Sequence, residues 1–252
     1  MATAFISHED GLQHETPPSA PERIERLEYI FQAIEDLRLI RVDAPLASDA
    51  SIALCHPQKY TNAVRNGIPK NGFTCLDADT DKETFLSPGS AGALWRAVGG
   101  AIKAVDMVLD GEVTNAFVAM RPPGHHAEKT LPMGFCVFGN IAIAAKHALE
   151  VHRLSRVAVV DFDVHHGNGT QALLQDDPRV LFITSQQMPL WPGTGLASDR
   201  GPHQTVLNIP LAPGTDGTHA LKEYQCKALP ALNNFQPELI LISAGFDAHQ
   251  DD

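Results

Sequence analysis

The stretch RVAVVDFDVHHGNGTQ, residues 156–171, opens on a run of small and β-branched apolar residues and ends among turn formers. A run this short, with Val157, Val159 and Val160 in it, reads as a buried strand that stops near Asp161. The residues after the strand are unusual. Asp161, Asp163 and His165 fall at i, i+2 and i+4, so a strand persisting to His165 would project all three from one face. Carboxylates held side by side repel each other and are costly to bury unless a cation sits with them. The segment therefore predicts a strand end that carries a metal site.

The same punctuation recurs along the chain. AFIS (4–7), NAFVAM (115–120), VLFIT (180–184), TVLNIPL (205–211) and ELILISA (238–244) are brief apolar runs bounded by turn formers. Between them lie helical patterns. Ile24, Leu27, Phe31, Ile34 and Leu37 make one face of residues 22–38, and Leu94, Val98, Ile102, Val105 and Leu109 make one face of residues 90–110. Alternating strands and helices predict an α/β fold, a mostly parallel central sheet with helices on both faces. The length, 252 residues, predicts one domain over 1–252. Ligands of such sheets bind outside the carboxyl ends of the strands.

Composition narrows the partners. The formal net charge is −11 and no Lys/Arg run stands out, which argues against nucleic acid and suits cationic amines. Cys55, Cys75, Cys136 and Cys226 form no CxxC pair, so a disulfide framework or cysteine-type zinc site is not expected. MATAFISHEDG has no secretory pattern, and no apolar run reaches the roughly 20 residues needed to cross a bilayer. These features predict a cytoplasmic protein with no membrane partner.

Two further strand ends supply the chemistry that the opening segment lacks. SAGFDAH (243–249) places Asp247 just past an apolar strand, and RPPGHHA (121–127) places His125 and His126 past another. Singly, each has a bland explanation: an HH dipeptide packs or faces solvent, and Asp247 could cap a helix. Together they deliver Asp and His to one sheet edge, where a catalytic zinc needs three protein ligands and an open position. His14 is left as a candidate rim residue, and Cys136 reads as a small buried hydrophobe.

RPPGHHA, MGFC, DFDVHHGNGTQ, WPGTG and SAGFDAH, in that order, resemble the zinc-dependent histone deacetylase superfamily, which has an arginase-like fold. The RPPGHHA form and Asn168 in HHGNG resemble its class II branch, with bacterial deacetylase-like amidohydrolases and acetylpolyamine amidohydrolases. The resemblance implies one Zn2+ held by Asp163, His165 and Asp247. It implies His126 as the proton acceptor, His125 oriented by Asp161 and cationic, and Asn168 beside His126. It also implies Gly134, Phe135 and Trp191 along a narrow acyl tunnel, and a structural K+ near Asp161, Asp163, His165 and Thr184. The implied substrates are acetyl-lysine in a peptide or protein, or an acetylated polyamine.

The chain also departs from that family. It ends at Asp252 without a Gly-Gly-Tyr segment, and Tyr29, Tyr60 and Tyr224 lie in other contexts, so the domain is expected to be C-terminally incomplete and weakly active alone. Loss of one oxyanion donor costs about 2.7–4 kcal/mol. SAPERIERL replaces the usual Gly-His-Pro-Glu-Arg-Pro, FGN replaces Phe-Asn-Asn, and Trp191 is bulkier than the usual Phe or Tyr. A two-manganese ureohydrolase is disfavoured, because Gly167 and His249 stand where its second metal needs carboxylates. A non-catalytic acyl-lysine-binding protein is the rival from another class.

Overall fold

Short β-rich runs and amphipathic segments become an alternating α/β chain in a computed structural model that describes residues 2–252. Its contacts divide into two compact units, Met1–His147 and Ala148–Asp252.

The first unit carries β1 (Thr3–Ser7), α1 (Ile24–Ala33), β2 (Ile40–Asp43), α2 (Asp49–Ile52), α3 (Gln58–Gly67), β3 (Thr74–Cys75), β4 (Phe85–Leu86), α4 (Ser90–Leu109) and β5 (Asn115–Val118). A three-stranded parallel sheet runs in the order β2-β1-β5. Alternation along β1 sorts its side chains. Ala4 and Ile6 pack with Met107 and Val108 of α4, while Phe5 packs with Leu27, Ile30 and Phe31 of α1. Helices therefore cover both faces, as the pattern predicts. The expected helix over 22–38 is shorter, ending at Ala33 with Leu37 exposed.

Helix α5 (Asn140–Glu150) leads into the second unit, which holds β6 (Val157–Asp161), α6 (Asn168–Leu174), β7 (Val180–Gln187), β8 (Val206–Leu211), α7 (Gly217–Glu223), a π-turn over Tyr224–Ala228, α8 (Leu229–Phe235) and β9 (Leu239–Ser243). Four parallel strands run in the order β8-β7-β6-β9. Ala158, Val160, Leu181, Ile183, Leu207 and Ile209 form one face of that sheet, closed by Ala228, Leu232 and Phe235. Every strand expected from the sequence is present. Each unit has its own parallel sheet.

Register decides where the site lies. Asp161, the last residue of β6, is level with Thr184 of β7 and Ser243 of β9. The loops that leave β6 and β9 thus emerge side by side. Among the described residues, no helix is long and apolar enough to cross a membrane.

Candidate metal centre

The strand does not persist to His165. β6 stops at Asp161, and residues 163–165 bend. The cause is in the side chains. Asp161 Oδ1 accepts the Asp163 N–H at 3.1 Å, and Asp163 Oδ1 accepts the His165 N–H at 2.8 Å. Each carboxylate captures the amide two residues on, the Asx-turn bond that competes with a sheet ladder. Asp247 Oδ1 accepts the Val164 N–H at 3.0 Å and ties the β9 loop to this curl. The i, i+2, i+4 spacing brings the donors together through turns, and the one-face strand geometry expected from it is not what the chain adopts.

Asp163, His165 and Asp247 offer ligand atoms that all lie within 4.8 Å of one another. His165 Nδ1 is 3.1 Å from Asp163 Oδ1 and 3.0 Å from Asp247 Oδ2. Those two carboxylates, Asp163 first and then Asp247, raise the imidazole pKa to about 9 against the opposing effect of burial. The three side chains are 16%, 31% and 19% exposed in sequence order, so a ligand can reach them. Gly245 is required here: a Cβ on it would lie 2.0 Å from Asp163 Oδ2. Residues 247–251 form turns and a bend.

The donor set fits zinc. One imidazole and two carboxylates from adjacent strand ends are hard-to-borderline ligands, three in number, at one solvent-reachable point. A positive centre placed among them would relieve the repulsion between the two carboxylates, which a proton on His165 now offsets.

The other expected site residues are spread over both units. Asp161 is fully buried, and Asn168 opens α6 and is buried. In the first unit His125 and His126 are buried, with ring centroids 3.8 Å apart. Gly134 and Phe135 both have positive φ, +53° and +65°, within a turn closed by hydrogen bonds between Met133 and Cys136. Phe135 is a bulky residue in a conformation that favours glycine. Its N–H donates to Thr84 Oγ1 at 3.2 Å, and Thr84 N–H in turn donates to the buried Asp77 carboxylate. The Trp191 ring stands edge-on to His165, centroids 6.0 Å apart. Thr184, expected beside a monovalent cation, is fully buried, and its hydroxyl donates to Gln186 Oε1.

His14 is not a rim residue. It is 2% exposed, its Nδ1 is 2.8 Å from Ser90 Oγ, and burial first, then Arg121, lowers its pKa to about 3. Arg121, four residues before His125, is itself buried and forks onto both oxygens of buried Glu22 at 2.5 and 2.7 Å. Sequence reasoning missed Thr84, Asp77 and the Glu22–Arg121 pair, because a buried polar partner has no motif of its own.

Residues 20–252 match the histone deacetylase domain family. This chain belongs to the histone deacetylase family. A probable deacetylase from Archaeoglobus fulgidus is 38% identical over 100% of this chain and 71% of its own length. The polyamine deacetylase HDAC10 of Homo sapiens is 35% identical over 98% of this chain and 40% of its own length. The crystal structure of the HDA15 HD domain matches with a TM-score of 0.92 at 29% identity, covering 100% of this chain and 74% of that one. The histone deacetylase fold thus accounts for the whole described chain.

Proposed function

We propose that this protein is a zinc-dependent amidohydrolase that removes acetyl groups from lysine side chains or related amines. One observation carries the proposal: three strand-end donors, Asp163, His165 and Asp247, meet at one half-buried point, with the imidazole Nδ1 between two carboxylates. Asp163, His165 and Asp247 would hold the metal. Zinc, when bound there, supplies a Lewis acid that polarises an acyl carbonyl and brings a water's pKa to about 7.

The remaining roles are proposed for the chain's own groups. The His126 imidazole takes a proton and returns it to the leaving amine, a function worth about 10²–10⁴ in rate. His125 stays cationic and stabilises negative charge. The two rings lie close, with centroids 3.8 Å apart, which supports their acting as a pair. The family resemblance gives Asp161 the role of orienting His125 and sets Asn168 beside His126. Gly134, Phe135 and Trp191 bind the acyl chain and exclude water, with Phe135 set by its turn and Trp191 standing over His165. Residues 1–252 would belong to one catalytic domain, in the cytoplasm.

A second substrate class, acetylated polyamines, is favoured by two observations. One relative is named a polyamine deacetylase, and the net charge of −11 attracts polycations. Acetate release by the zinc-loaded protein from an acetyl-lysine peptide and from an N-acetylated diamine tests both. Release from neither by the full-length protein, with about one zinc bound per chain, would overturn the deacetylase proposal in favour of a binding protein.

A further inference from the structure

The opening motif contains a second imidazole, His166, for which neither metal binding nor proton transfer has a use. It is 3% exposed, and both its ring nitrogens are engaged. Nδ1 lies 2.7 Å from Thr194 Oγ1, and Nε2 lies 3.0 Å from Gln171 Oε1. The proton's place on the ring is set by the neighbours. Gln171 Nε2 donates to the Asp199 carboxylate at 2.7 Å, so its Oε1 is the acceptor, and Asn208 Nδ2 donates to that same oxygen. His166 Nε2 therefore carries the hydrogen, and Nδ1 accepts from the Thr194 hydroxyl.

Thr194 and Gly195 belong to the WPGTG loop that begins at Trp191. That loop lies directly on His166. Gly195 has φ +88°, and a Cβ there would be 2.4 Å from Gln186 Nε2 and 2.7 Å from His166 Cδ2. Gln186 Nε2 donates to Gly195 O at 2.6 Å and pins the loop to β7. The residue next to the metal ligand His165 is thus the anchor of the loop whose tryptophan stands over that ligand.

We propose that His166 is a positioning residue: through Thr194 it clamps the Trp191–Gly195 loop against the end of β6, and so sets the wall of the acyl site. The substrate consequence rests on the deacetylase proposal; the clamp itself does not. Thr194 is the place to test it, because it is at the surface and its replacement leaves the His166–Gln171–Asp199 side of the network and the metal donors in place. Thr194→Val removes the hydroxyl at nearly constant volume, and Thr194→Ser keeps it.

The chain has two tryptophans, so a Trp95→Phe background leaves Trp191 as its single indole reporter. In that background Thr194→Val is expected to raise acrylamide quenching of Trp191 by about twofold or more, and Thr194→Ser to restore it. In the zinc-loaded protein, Thr194→Val is expected to raise KM for an acetyl-lysine peptide by about fivefold, with kcat and metal content unchanged. Quenching unaltered by Thr194→Val, or Thr194→Ser behaving like the valine variant, would overturn the clamp. So would kcat falling in step with metal content, since that marks general loss of structure. If the full-length parent protein releases no acetate, the deacetylase proposal fails, while the quenching experiment still decides the clamp.

Discussion

His165 Nδ1 and Asp247 Oδ2 lie 3.0 Å apart although 82 residues separate them in the chain. Parallel pairing of β6 with β9 makes that contact, because Asp161 and Ser243 are level and both loops leave the same sheet edge. Asp247 is therefore as much a part of the centre as its two sequence-adjacent partners. Asp163→Ala or Asp247→Ala should reduce bound zinc from about one per chain and weaken zinc affinity by about 10²-fold or more, since even outer partners of ligands are worth 10- to 100-fold. Elemental analysis after dialysis checks this. Full metal retention in both variants would exclude the triad as the ligand set.

Metal binding should displace a proton. With its pKa held at about 9 by Asp163 and Asp247, metal-free His165 is protonated at pH 7.5, whereas a ligand imidazole nitrogen must be bare. Calorimetric titration with zinc in buffers of different ionisation enthalpy should report release of at least about one proton per ion at pH 7.5, with the His165 share falling away above pH 9. A buffer-independent enthalpy at pH 7.5 would contradict the arrangement.

The backbone of Phe135 depends on a hydroxyl. Thr84 Oγ1 accepts its N–H, and Thr84 is fully buried. Thr84→Val keeps the shape and leaves that N–H without its acceptor, a loss of about 1–3 kcal/mol, while Thr84→Ser should lose less than about 1 kcal/mol. Urea unfolding midpoints of the two variants measure the difference.

Acid should destabilise the protein through two neutral buried histidines. Burial lowers the pKa of His14 to about 3 and that of His56 to about 4. His56 is held neutral by geometry: Nδ1 faces Lys129 O, and Nε2 accepts the Gly139 N–H. Unfolded, both rings bind protons below about pH 6.5, so the unfolded state gains protons first and stability falls as pH drops from 6.5 toward 4. Each ring contributes a slope of about 1.4 kcal/mol per pH unit. His165 adds none in this window, because its raised pKa leaves it protonated in both states below pH 6.5. Urea unfolding of metal-free protein at pH 6.5, 5.5 and 4.5 should show the fall, and His14→Gln should remove about one ring's share. A pH-independent midpoint would refute it.

Local pattern determined much of this protein. Apolar runs bounded by turn formers define all six strands that were expected, and period-3.6 faces define α1 and α4, because burial of one face is written into residue spacing. The candidate donors Asp163, His165 and Asp247, which the structure gathers within 4.8 Å of one another, stood out for a related reason: carboxylates and imidazoles crowded past a strand are costly without a cation. Tertiary structure decided the rest. Only the folded geometry shows that Asx turns curl residues 161–165, so that Asp163 and His165 meet through bends and not along a strand. Only it buries His14, sets Thr84 beneath Phe135, and gives His166 its two partners. Those assignments depend on hydrogen bonds between residues distant in sequence. Such bonds leave no periodicity in the chain to find.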